Sequence, residues 1–175
     1  MLNGGISGKL AAMRSEDDER AARLAAGRII DRDELVSVLR EYARARPEIQ
    51  VIWLFGSQAE GAARRTSDLD LAFQVVPPPA AEDEIAYRAA RARELEALLR
   101  VPVDAVLLSP ALPVPLLWNI LHTHTVVYER EPDQAATTGA FLRGVCRDEW
   151  PRLERRWERN RRELQKWAED APNRS

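Results

Sequence analysis

The stretch GSQAEGAARRTSDLDL, residues 56–71, most constrains what this chain can fold into. It follows the apolar, β-branched and aromatic run IQVIWLF, which predicts a buried strand that ends at Gly56. Apolar and other residues alternate along SDLDLAFQV, residues 67–75, as they do in a half-buried strand. One side holds Leu69, Leu71 and Phe73, and the other holds Asp68, Asp70 and Ala72. The stretch therefore predicts two strands joined by a glycine-containing turn, with two carboxylates on one side of the second strand.

Helical and strand patterns alternate around these two strands. DRDELVSVLREYARA begins with Asp31, followed three residues later by Glu34, which is typical of a helix N-terminus. The patterns that follow the second strand are, in order, the helix EDEIAYRAARARELEALLR, the strand VPVDAVLLS, the short helix PVPLLWNILH and the strand TVVYER. This order predicts an α+β (α/β) fold, a small mixed β-sheet of about four strands with helices packed on it.

We predict three segments along the chain. Residues 1–27 mix Gly, Ala and charges without firm periodicity and indicate a loose N-terminal lead-in, residues 28–130 form the main domain, and residues 131–175 form a C-terminal helical arm. The apolar seam of the arm has 3-4 spacing and consists of Trp150, Leu153, Trp157, Asn160, Leu164 and Trp167. Pro151 is expected near the start of this helix. The seam packs either on the domain itself or on a partner, which leaves a homo- or hetero-oligomer open.

Charge and composition exclude several classes of function. The 26 Lys and Arg against 28 Asp and Glu give a formal net charge of −2, so we expect neither a membrane nor a nucleic acid as partner. In residues 143–166, nine Lys or Arg against five Asp or Glu indicate a solvated helix face rather than an RNA site. The single cysteine, Cys146, suits a reducing compartment. Since no signal-peptide pattern and no long apolar run occur, we expect a cytoplasmic location.

The paired aspartates predict a cation site. Carboxylates at positions i and i+2 of a strand point the same way, so Asp68 and Asp70 can hold a hard cation such as Mg2+ between them. Gly56 and Ser57, at the end of the preceding strand, let backbone N–H groups and a hydroxyl approach phosphate oxygens. Asp104, in the third predicted strand, completes a three-carboxylate site if that strand lies beside the strand of Asp70.

These residues carry a resemblance to a known family. Gly56 and Ser57, followed after ten residues by Asp68-x-Asp70, resemble the signature of the polymerase-beta-like nucleotidyltransferase superfamily. Within it, Gly-Ser-x-Ala-x-Gly before Ser-Asp-x-Asp-Leu looks like the minimal nucleotidyltransferases. The resemblance covers roughly residues 35–130, because VDAVLL and ILHTHTVVYE match the later strands of the family in order and spacing.

The resemblance implies a polymerase-beta-like fold and transfer of a nucleoside monophosphate from a triphosphate, here ATP, to a hydroxyl. It implies that the catalytic and metal-binding residues are Asp68, Asp70 and Asp104, with Mg2+ as cofactor. Asp104 would also help to position or deprotonate the attacking hydroxyl.

The resemblance also implies which residues contact the nucleotide. Gly56 and Ser57 match the positions that touch the triphosphate. Many relatives carry Arg at positions 58 and 60, whereas this loop carries its positive charge at Arg64 and Arg65. We therefore include Arg64 and Arg65 among the predicted nucleotide-binding residues.

The acceptor hydroxyl is expected to belong to another protein. The chain resembles the minimal nucleotidyltransferase antitoxins, which modify a tyrosine of their HEPN-domain ribonuclease toxin, and we expect such a toxin, encoded by a neighbouring gene, as its partner. The short segment after the last predicted strand favours a large acceptor over a deep pocket. Two alternatives stay open: a small-molecule nucleotidyltransferase like those that modify aminoglycosides, and a non-catalytic antitoxin that acts by binding alone.

Overall fold

The computed structural model describes residues 30–59 and 68–170, the last four without their side chains. Its helices and strands follow the order that the sequence predicts, except that a four-residue helix occupies the start of the predicted glycine-containing turn. The predicted lead-in, residues 1–27, lies outside the described residues. The elements are α1 Arg32–Arg44, β1 Ile49–Phe55, α2 Gly56–Ala59, β2 Leu69–Val75, α3 Glu84–Leu99, β3 Val103–Leu107, α4 Val114–Thr123, β4 Thr125–Glu129 and α5 Gln134–Asp170.

The four strands form one mixed sheet in the order β3-β2-β1-β4. β1 pairs antiparallel with both β2 and β4, whereas β2 and β3 run parallel. Parallel neighbours need a crossover connection, and α3 supplies it between β2 and β3. The predicted small mixed sheet with packed helices is confirmed.

Helices cover both faces of the sheet, because the strands alternate their side chains between two cores. On one face, Leu69, Leu71 and Phe73 of β2 pack with α1 and α3. On the other face, Ala72 of β2 and Trp53 of β1 pack with α4 and the first turns of α5. The alternation predicted for the second strand is therefore confirmed.

Two local contacts position α1 on this framework. At its start, the carboxylate of Asp31 accepts the backbone N–H groups of Asp33 at 2.9 Å and Glu34 at 3.2 Å, as the predicted N-cap requires. Near its end, the hydroxyl of the buried Tyr42 donates to Glu94 of α3 at 2.6 Å. The first contact satisfies helix N–H groups, and the second ties together the two helices of one sheet face.

The C-terminal helix begins earlier than the sequence predicts. α5 starts at Gln134, so Pro151 lies inside it and the expectation that Pro151 stands near its start is wrong. The turns before Pro151 are held on the sheet by the buried Ala135, Leu142 and Cys146. The helix continues because Pro151 is exposed, so the carbonyl that loses its N–H partner can bind water. Across the described ranges, no helix combines the length and the apolar character that a membrane span requires.

Candidate active site

Strand pairing places two aspartates side by side at the end of the sheet where β1 stops. β2 lies between β1 and β3, and Asp70 is in register with Phe55 of β1 and with Asp104 of β3. Asp104 is exposed, whereas Asp70 is partly buried. The strand of Asp104 therefore lies beside that of Asp70, as a three-carboxylate site requires.

Asp68 stands immediately before β2 and is exposed. The next residue, Leu69, donates its N–H to the carbonyl of Pro102 at 2.8 Å, which fixes the start of β2 against the start of β3. The negative charges of Asp68 and Asp104 both act on the carboxyl of Asp70. Three carboxylates from the starts of two adjacent strands therefore share one region of the surface.

Gly56, the first residue after β1, stands against the carboxylate of Asp70. Its φ of +68° lies in the left-handed region that side chains disfavour. A Cβ at this position would collide with Oδ2 of Asp70 and would stand 3.1 Å from its Cγ. Glycine is thus needed both for the backbone turn and for the close approach of Asp70. Sequence reasoning explained Gly56 by access of phosphate and missed this contact, which exists only because β1 and β2 pair.

The carboxylates repel one another. Burial, followed by the charges of Asp104 and Asp68, raises the pKa of Asp70 from 3.8 to about 6. No Lys or Arg within the described residues lowers the pKa of Asp70. The electrostatics therefore favour a positively charged group among these three side chains.

The residues fit a hard divalent cation by their chemistry. Carboxylate oxygens are the ligands that Mg2+ takes from proteins, and such a cation relieves the repulsion at Asp70. Within residues 30–59 and 68–170, no three His, Cys, Asp or Glu side chains already converge as a metal cluster. The fold thus presents the ligands on adjacent strands, and their assignment to Mg2+ stays a prediction.

Two of the four predicted nucleotide-binding residues lie beside the carboxylates. Ser57 is partly buried in the short helix α2, directly after Gly56, and this helix packs against β1 and β2. Arg64 and Arg65 belong to the segment between α2 and Asp68, outside the described residues. Contact of all four with a nucleotide therefore stays a prediction.

A family model described as Polymerase beta, Nucleotidyltransferase matches residues 38–133, more than half of the 175-residue chain. The match runs from α1 to just beyond β4. It contains Gly56 and all three carboxylates of the site. No curated protein matches the sequence.

Several solved structures share the fold. A chain of a crystal structure of a toxin-antitoxin with AMP-PNP has a TM-score of 0.58 at 18% identity, covering 78% of this chain and 99% of that chain. A chain of a mutant toxin-antitoxin MntA-HpeT has a TM-score of 0.57 at 18% identity, with coverages of 78% and 99%. A structure from Shewanella oneidensis has a TM-score of 0.54 at 13% identity, with coverages of 75% and 98%. Together with the family match, they confirm the predicted polymerase-beta-like nucleotidyltransferase fold.

Replacing Gly56 tests its contact with Asp70. We expect Gly56→Ala to lower the free energy of unfolding by about 2 kcal/mol, because the left-handed backbone becomes strained and the methyl group displaces the carboxylate. Gly144→Ala in α5 is the matched control, since a Cβ there meets nothing closer than 3.8 Å. It should stabilise the helix by about 0.5–1 kcal/mol. Urea denaturation measures both values, and a Gly56→Ala protein as stable as wild type would contradict this placement.

The pKa of Asp70 predicts a pH-dependent stability. Between about pH 4 and 6, folded Asp70 keeps a proton that the unfolded chain has released, so the free energy of unfolding falls as the pH rises through this window. Asp70→Asn should therefore match wild type near pH 4 and exceed it by about 1–2 kcal/mol near pH 8, after allowance for screening. Denaturation in a chelating buffer measures the difference. A difference that is constant with pH would show that Asp70 titrates normally.

Proposed function

This chain belongs to the polymerase beta nucleotidyltransferase family, and we propose that it transfers AMP from ATP to a hydroxyl group of another protein, with release of pyrophosphate. The observation that carries the proposal is the register of Asp70 with Asp104, beside Gly56 and Asp68, at one end of the sheet. Enzymes of in-line phosphoryl transfer use such carboxylates to hold a metal ion and a glycine-containing turn to approach the phosphates.

Asp104 is the residue best placed to act on the acceptor. It is exposed on β3, so its carboxylate can accept a hydrogen bond from the attacking hydroxyl and take its proton. The acceptor oxygen then bonds to the α-phosphorus of ATP. The bond from that phosphorus to the oxygen of the β-phosphate breaks, and pyrophosphate carries the electron pair away.

The other residues would bind and orient the nucleotide. Gly56 adopts the left-handed turn that brings α2 beside the carboxylates, and the hydroxyl of Ser57 can donate to a phosphate oxygen. Arg64 and Arg65 would add positive charge to the triphosphate.

Asp68, Asp70 and Asp104 would hold Mg2+, since their carboxylate oxygens are the ligands it prefers. When bound, the ion supplies positive charge that stabilises the phosphate oxygens during transfer. The partly buried Asp70 needs such a charge, because burial and then the charges of Asp104 and Asp68 raise its pKa. At neutral pH, a neighbouring cation would keep Asp70 ionised.

We assign the acceptor to a tyrosine of a HEPN-domain ribonuclease toxin, which makes this chain an antitoxin. Two of the solved structures with the same fold are toxin-antitoxin structures, and one of them contains AMP-PNP, an analogue of ATP. The shared fold supports the assignment, and the sequence motif from Gly56 to Leu71 supports the minimal type of nucleotidyltransferase.

The proposed activity predicts a mass change in the toxin. Incubation of the HEPN protein encoded by a neighbouring gene with this chain, Mg2+ and ATP should add one or more AMP units of about 329 Da each, seen by intact-mass spectrometry. The double variant Asp68→Asn, Asp70→Asn should be slower by about 10³-fold or more, because it loses several kcal/mol of transition-state stabilisation. Asp133→Asn is the matched control, because Asp133 lies at the opposite end of the sheet from the three carboxylates. It follows the end of β4, and that end pairs with the start of β1.

A binding measurement separates the nucleotide from the acceptor. In titrations with AMP-PNP and Mg2+, wild type and Asp133→Asn should bind, and the double variant should bind at least about tenfold more weakly. Absence of both AMP-PNP binding and mass gain, with all four nucleoside triphosphates tried, would contradict the transferase proposal. AMP-PNP binding without mass gain would contradict the toxin as the acceptor.

A further inference from the structure

The distal half of α5 leaves the body of the protein. From Pro151 to residue 166 every side chain is exposed except Leu153, which is partly buried. Before this point, the same helix packs Leu142 and Cys146 into the core. From here on, the name arm is restricted to residues 150–166, the exposed part of the predicted C-terminal helical arm. At 1.5 Å per residue this part is about 25 Å long.

The arm carries an apolar seam that faces solvent. Its members, at the 3-4 spacing of coiled-coil a and d positions, are Trp150, Leu153, Trp157, Asn160 and Leu164. Trp150 packs on Trp118 of α4 with ring centroids 5.3 Å apart, and the edge of Trp157 meets Trp150 at 6.1 Å. Beyond this contact, Trp157 is 44% exposed and Leu164 is 66% exposed. The body of the protein therefore anchors the first turn of the seam and leaves the rest open.

Four charged residues flank the seam. Glu154 and Arg161 occupy the e positions, and Arg156 and Glu163 occupy the g positions. Within the described part of the chain, Arg156, Arg161 and Glu163 form no ion pair. Glu154 accepts the indole N–H of Trp150 through Oε1, which leaves Oε2 for another donor. These charges are available to a partner.

A parallel second copy does not fit this order of charges. In a parallel pair, each g residue lies near the e residue of the next heptad of the other helix. Arg156 would then face Arg161 of the partner subunit. One heptad earlier, Glu149 would face the partner's Glu154. Both contacts join like charges, which repel.

An antiparallel second copy fits the same charges. In an antiparallel pair, e residues lie near e residues and g residues near g residues, because the seam layers pair a with d. Glu154 then meets Arg161 of the partner subunit, and Arg156 meets the partner's Glu163. Twofold symmetry repeats both contacts, so all four flanking residues of each copy find an opposite charge.

We propose that the arm is a dimerisation element that pairs antiparallel with the arm of a second copy of this chain. The register that pairs the charges also places Leu153 against the partner's Leu164 and Trp157 against the partner's Asn160. The amide oxygen of Asn160 can accept an indole N–H, so the polar residue of the seam fixes this register. The surplus basic residues fall at the outward c and f positions and are Arg152, Arg155, Arg159, Arg162 and Lys166.

The size of the contact sets the expected affinity. Two paired helices about 25 Å long bury on the order of 1,000 Å², near the lower limit of a specific interface. Sedimentation equilibrium of the full chain should therefore show a monomer–dimer equilibrium between about 1 and 200 µM. The mass should rise from 19.8 kDa towards twice that value. A chain that stays monomeric over this range overturns the proposal, even if its arm binds a different protein.

Charge reversal tests the orientation. In an antiparallel pair, Arg156→Glu places a negative charge near the partner's Glu163, and the two repel. In a parallel pair, the new negative charge lies near the partner's Arg161, and the two attract. We expect its dimer Kd to rise about tenfold, which is about 1.4 kcal/mol. An equimolar mixture of Arg156→Glu and Glu163→Arg chains should recover the wild-type Kd, because the mixed dimer restores opposite charges. Arg155→Glu, an outward reversal of the same charge, should leave Kd unchanged, and a tighter Arg156→Glu dimer overturns the antiparallel arrangement.

Disulfide trapping gives an independent readout of orientation. Leu153→Cys mixed with Leu164→Cys should form a cross-linked dimer under mild oxidation, because the two positions face each other in the antiparallel register. Either variant alone should cross-link much less. The native Cys146 is buried and does not compete. Preferential self-linking of Leu153→Cys would place like positions together and overturn the proposal.

Discussion

The register of β2 between its two neighbours is the constraint on which the candidate site depends. Asp70 is level with Phe55 on one side and with Asp104 on the other. A slip of one residue would turn every side chain of β2 to the opposite face. Because Leu71 and Phe73 fill the core under α1 and α3, such a slip would move them to the face under α4 and α5 and would bury Asp70 in the core that they leave. Apolar packing therefore fixes the position of the carboxylates.

The same packing holds together groups that repel. Asp70 is partly buried and close to two like charges, and burial followed by those charges raises its pKa. The buried strands and helices on both faces of the sheet offset that repulsion. Gly56 completes the arrangement, since any larger residue would push Asp70 away from β1. A positively charged group among these three side chains would relieve the repulsion at Asp70.

The local patterns predicted the elements that depend on neighbouring residues alone. The period-two alternation of β2 and the cap at Asp31 are of this kind, and both are confirmed. The contact between Gly56 and Asp70 could not be predicted, because it arises from pairing between strands. The start of α5 was misplaced because Pro151 was taken as a boundary, whereas the turns before it are already helical and pack Leu142 on the sheet. Pattern alone also could not show that the seam of the arm is exposed.

We propose that two neighbouring strands build one cation site, so the direct test is a substitution on β3, which lies outside the Asp68–Asp70 motif. Electron paramagnetic resonance can count the Mn2+, in place of Mg2+, that the chain takes up with AMP-PNP. Wild type and Asp133→Asn should bind Mn2+, and Asp104→Asn should bind it at least about tenfold more weakly, although Asp68 and Asp70 are intact. Equal uptake by Asp104→Asn and wild type would contradict the account.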